Sequence, residues 1–130
     1  MLEGPIATRF FFLEDERTKE PAVVFRMWRP YQPEGAYPRC LYELTSGRDT
    51  IKGEVTGVDA FDCIINCLSQ AGSKIAGLNE SVYGGRLSWE ASPGGGRGLG
   101  LPTIEDAWPF AEPYQEALRN LELDKPPDDR

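Results

Sequence analysis

The sequence predicts an α+β domain, in which an antiparallel sheet of five or more strands packs one face against a main amphipathic helix, with a short C-terminal helix to follow. Two observations carry this. The stretch 57–79, GVDAFDCIINCLSQAGSKIAGLN, holds Phe61, Ile64, Ile65, Leu68, Ala71, Ile75 and Leu78 at the i, i+3, i+4, i+7 spacing of an amphipathic helix. Short runs rich in aromatic and β-branched residues precede and follow it, separated by turn-forming clusters. A stripe that wide needs cover, and a sheet built from those runs supplies it.

The first strand falls at residues 6–13, which contain Arg-Phe-Phe-Phe-Leu. Residues 14–21 are a charged turn, and 22–28, AVVFRMW, form a second strand. There Val23, Phe25 and Met27 share one face, while Val24, Arg26 and Trp28 share the other. Residues 29–38, RPYQPEGAYP, carry three prolines and a glycine and read as a loop. Strands at 40–45 and 50–55, joined by Ser46-Gly47-Arg48-Asp49, should make a hairpin with Ile51 and Val55 inward and Lys52 and Glu54 outward.

Asp59 is the expected N-cap of the helix at 59–77, and Asp62 places negative charge in its first turn. Gly77 and Asn79 are its expected stops, and Gly72 suggests a close approach to the sheet. Asn66, Gln70 and Ser73 belong to the polar side with both aspartates. After a turn at 81–85, residues 86–91 alternate, with Leu87 and Trp89 on one face and Arg86, Ser88 and Glu90 on the other. The run PGGGRGLG at 93–100 has the glycines of a phosphate cradle but neither the Gly-Lys-Ser/Thr nor the helix that such a cradle requires. It is read as a hairpin loop, with 99–104 pairing back as a short strand. Residues 105–110 are a turn, and Pro113 opens a short helix whose apolar stripe is Tyr114, Ala117, Leu118 and Leu121. Residues 1–123 are expected to form one domain, followed by a disordered acidic tail at 124–130.

Composition narrows the chemistry. The net charge of -7 argues against nucleic acid as the ligand, since phosphate binding needs a basic face. The chain has no histidine, which removes Ser-His-Asp and Cys-His catalysis and histidine-containing zinc sites. Cys63 and Cys67, four apart on the helix, have the spacing of a metal or redox pair, but they read as two small hydrophobes at the core boundary, and all three thiols, Cys40 included, as structural and unpaired. The carboxylates are scattered over turns, the hairpin and the helix start, and nothing fixes two of them in a cleft. No cofactor and no enzymatic activity are expected. The N-terminus lacks an apolar signal region and no stretch reaches membrane-span length, so the expected location is the cytoplasm, away from any membrane.

Gly57, Asp59, the apolar helix positions, and Leu87 and Trp89 after them resemble a pattern of small bacterial domains of the immunity-protein type. The resemblance covers about residues 6–104 and brings no catalytic residues. It implies a small acidic protein that neutralises a basic toxin domain of a competing bacterium. The contact residues expected for such a role are Glu43 and Glu54 on the hairpin, Asp59 and Asp62 at the helix start, and Tyr31 and Tyr37 in the proline-rich loop. The two tyrosines also suit packing over the sheet edge. The alternative role is a non-catalytic structural or adaptor domain that self-associates.

Overall fold

The computed structural model describes residues 3–14, 20–89 and 97–107. Four strands come first, β1 (Ala7–Leu13), β2 (Val23–Met27), β3 (Arg39–Ser46) and β4 (Asp49–Thr56). The helix α1 (Ala60–Ser81), the short strand β5 (Leu87–Ser88) and a single helical turn α2 (Ile104–Ala107) follow. All pairings are antiparallel, and the sheet order is β4-β3-β2-β1-β5. Among the described residues this is the predicted α+β architecture, with five strands and one main helix.

Alternation sets the two sheet faces. Phe11, Val23, Phe25, Met27, Cys40, Tyr42, Leu44 and Val55 are buried beneath α1. Ser46 and Asp49 pair across the two-residue turn, where Gly47 has φ 62°. A positive φ at the first turn residue matches the twist of a tight hairpin and suits glycine. Gly53 lies opposite Tyr42, and a Cβ there would collide with the tyrosine ring. The missing side chain lets Tyr42 lie across β4 and reach Gln70, whose Oε1 accepts its hydroxyl proton at 3.2 Å.

The face that α1 turns to the sheet coincides only in part with the predicted stripe: Ile64, Leu68, Ala71 and Ile75 pack in or against the core as expected, but Phe61 and Ile65 do not. Cys63, Cys67, Ala71 and Ile75 are fully buried, while Phe61 is 80 % exposed and Ile65 45 % exposed. The small thiols let the helix settle close to the strands, whereas Phe61 on that side would hold it away. Cys63 and Cys67 are therefore in the core with Cys40 and not at its boundary, and all three are free thiols. The Cys63 thiol donates toward the Val55 carbonyl at 3.5 Å, and burial pushes its pKa up to about 11. A hydrogen bond to Cys40 together with burial raises the Cys67 thiol, and the same bond lowers Cys40.

The polar side of α1 is also engaged. Asn66 donates to the Thr56 carbonyl at 2.9 Å, and Ser73 Oγ accepts from the Ile104 N–H at 3.0 Å. Gly77 and Asn79 do not stop the helix, which runs to Ser81. Reversal comes at Gly84 and Gly85, with φ 60° and 80°.

Residues 97–103 form a strap across α1 in place of the predicted strand. The Leu101 N–H donates to the Gly98 carbonyl at 3.1 Å, and Leu101 and Thr103 are buried. The close approach at Gly72 is to this strap and not to the sheet, because a Cβ there would strike the Pro102 carbonyl oxygen. Ser88 is buried, its hydroxyl donating to the Phe12 carbonyl at 3.3 Å. Trp89 is half-buried, with the Arg9 guanidinium 3.8 Å from the centre of its ring, and burial lowers the Arg9 pKa. The Pro113 helix and the acidic tail lie outside the described residues. Among the described residues no helix is long and apolar enough to cross a membrane.

Candidate partner-binding surface

The register divides the six expected contact residues into two groups. Leu41 pairs with Glu54 and Glu43 with Lys52, so both glutamates lie on the sheet face turned away from α1, as expected. Neither carboxylate stands alone. Glu43 is 3.7 Å from the Arg26 guanidinium, and Glu54 is 3.0 Å from that of Arg39. Tyr31 exchanges backbone bonds with Arg39 and donates its hydroxyl to Glu54 Oε2 at 3.3 Å, so it packs at the sheet edge. Trp28, Leu41, Glu43 and Lys52 line a shallow depression of about 240 Å³ on this face. It is an apolar floor bordered by Lys52 and by Glu43, whose charge Arg26 offsets, so it offers little net attraction to a basic partner.

The second group gathers at the start of α1. Asp59 is the N-cap, its Oδ1 accepting from the Asp62 N–H at 2.8 Å. Asp62 reaches back, its Oδ2 accepting from the Val58 N–H at 2.9 Å. These reciprocal bonds satisfy donors that the helix start would otherwise leave free, and both carboxylates face the positive end of the dipole. Asp62 is half-buried and hydrogen-bonded, so reversing its charge would disturb the fold as well as the surface. The Gly57 N–H donates to the Pro38 carbonyl at 3.2 Å, which sets the Tyr37 loop beside the helix start. Tyr37 is 65 % exposed there.

Beside these residues lies a feature that sequence reasoning missed. Val58, at 72 % exposure, immediately precedes the N-cap, and Phe61 and Ile65 are exposed at a helical spacing of four just beyond it. The signal was present in the helix, which offers two apolar arcs. One contains Cys63 and Cys67, the other Phe61 and Ile65, and only one can meet the sheet. Exposed Val58, Phe61 and Ile65, interspersed with Asp59 and Asp62, give the start of α1 an apolar patch with acidic residues in it, and Tyr37 is exposed on the loop that the Gly57–Pro38 bond holds there. Such a patch suits a partner that presents apolar side chains among basic ones.

The cap is directly testable. Asp59→Ala should lower stability by about 1 kcal/mol, as for loss of an N-cap acceptor, measured in urea melts. An unchanged midpoint would show that the carboxylate does not hold the helix start.

Neither a curated protein nor a solved structure matches the chain. A family described as "Domain of unknown function (DUF6968)" matches residues 7–102, a span that runs from the start of β1 into the strap over α1. The protein therefore belongs to the DUF6968 family.

Proposed function

We propose that this chain is a small acidic binding protein that neutralises a protein partner, of the type of an immunity protein inhibiting a bacterial toxin, and that the patch at the start of α1 makes the contact. One observation carries the proposal: Phe61 and Val58 are 80 % and 72 % exposed at the start of α1, although a helix of this sequence has the option of burying the arc that holds Phe61. Large apolar side chains held on a rigid helix supply affinity at low ordering cost. Asp59, Asp62 and the net charge of -7 favour encounter with a basic domain.

The test begins with a pull-down from the native host and continues with binding kinetics on the partner recovered. Phe61→Ala should weaken binding by roughly tenfold or more, as for an interface anchor, with the melting curve unchanged. Association should slow as salt rises past the range where the Debye length is about 8 Å. A basic toxin domain as the partner should lose its toxicity when the wild-type chain is co-expressed. A partner that binds Phe61→Ala as tightly as wild type would sink the assignment of this patch.

A further inference from the structure

From the outer edge of β4 we infer that this protein forms a two-fold homodimer by pairing β4 antiparallel with β4 of a second copy, joining two sheets into one. The inference is independent of the partner reading, which concerns the helix start.

β4 is eight residues long and ends the sheet, and among the described residues no strand pairs with its outer side. The direction of its backbone groups follows from β3. Arg39 exchanges both of its backbone bonds with Tyr31, the N–H of each donating to the carbonyl of the other at 2.9 and 2.7 Å. Arg39 is thus turned away from β4, and alternation turns Cys40 toward it, opposite Val55. Val55, Gly53 and Ile51 then point their backbone groups at β3, while Thr50, Lys52, Glu54 and Thr56 point theirs outward. The Thr56 carbonyl already accepts from Asn66, and the remaining outward groups are a template for another strand.

Charge selects both the occupant and the register. A two-fold pairing centred on Gly53 sets Lys52 opposite Glu54 of the second copy and Glu54 opposite its Lys52. Both residues are in the outward set, so these are hydrogen-bonded pairs, and the overlap spans residues 50–56. Shifting the register by two residues sets Lys52 against Lys52 or Glu54 against Glu54, and like charges directly opposite each other are destabilising. The favoured register is self-complementary, as a two-fold interface must be. It also brings Ile51 of the second copy beside Val55. A groove of about 340 Å³, lined by residues that include Val55, Gln70 and Ile104, lies at that end of the strand.

The test is sedimentation of the full chain over a concentration series. Wild type should shift from monomer to dimer as concentration rises. Lys52→Glu sets Glu opposite Glu, and Glu54→Lys sets Lys opposite Lys. Each variant alone should associate roughly tenfold more weakly or worse, from two attractive pairs made repulsive. An equimolar mixture of the two should recover the dimer, since every pair across the seam is then opposite in charge. Recovery on mixing also shows that both variants are folded. Lys52→Pro removes an outward N–H that the monomer does not use, so it should abolish association and keep the fold. Wild type that stays monomeric to about 1 mM overturns the inference. So do single variants that associate as wild type does, a mixture of folded variants that stays monomeric, or a Lys52→Pro chain that still dimerises.

Discussion

Phe11→Ala is expected to lower the unfolding free energy by about 3–5 kcal/mol, the range for truncating a buried aromatic ring to a methyl group. Phe11 is fully buried on β1, opposite Val23, in the core that α1 covers. Its removal takes away apolar burial and leaves a cavity that a sheet strand held on both sides by ladders to β2 and β5 is poorly able to close. A domain of this size is stable by only about 5–15 kcal/mol, so the variant should melt far below wild type. Urea denaturation measures the loss. A change under about 1 kcal/mol would mean that the β1 face is not core.

Two glycines in one helix should respond with opposite sign. At Gly77 nothing lies within 4 Å of an added Cβ, so Gly77→Ala should stabilise the chain by up to about 1 kcal/mol through helix propensity. Gly72→Ala gains the same propensity but drives its Cβ into the Pro102 carbonyl, with Leu101 Cβ 3.3 Å away. The helix cannot retreat, because Ala71 and Ile75 are already packed on its sheet side. The strap must lift, at about 1–3 kcal/mol for an overpacked contact. Lifting exposes Leu101 and Thr103, and limited proteolysis should then cut within residues 98–104 faster than in wild type. Equal melting points for the two variants would show that the strap does not bear on Gly72.

Much of this protein follows from local pattern. The alternation in Val23–Met27 and Asp49–Thr56, the turn at Gly47 and the capped helix start at Asp59 are each properties of a few adjacent residues, and each is legible without the fold. The candidate surface is legible only in part. Asp59 and Asp62 fall where their neighbours in sequence put them, whereas the Tyr37 loop comes to the helix start through the bond between Gly57 and the distant Pro38. Glu43 and Glu54 share a face, which alternation predicts. Their neutralisation by Arg26 and Arg39 depends on residues up to 17 positions away in the chain, brought near by strand register.

What only the tertiary structure decided is which arc of α1 meets the sheet, and what crosses its back. Periodicity marks Phe61 and Ile65 as apolar but is blind to depth. The arc that packs is the one with Cys63, Cys67 and Ala71, because small side chains bring the helix axis closest to strands that already carry Phe11, Phe25 and Tyr42. The strap is equally non-local: Gly72 has no Cβ because a backbone carbonyl 30 residues later in the chain occupies that space. Local sequence thus sets what each segment is, through backbone preference and periodicity. Volume and close approach between distant segments set which face each one buries and which large apolar side chains stay outside.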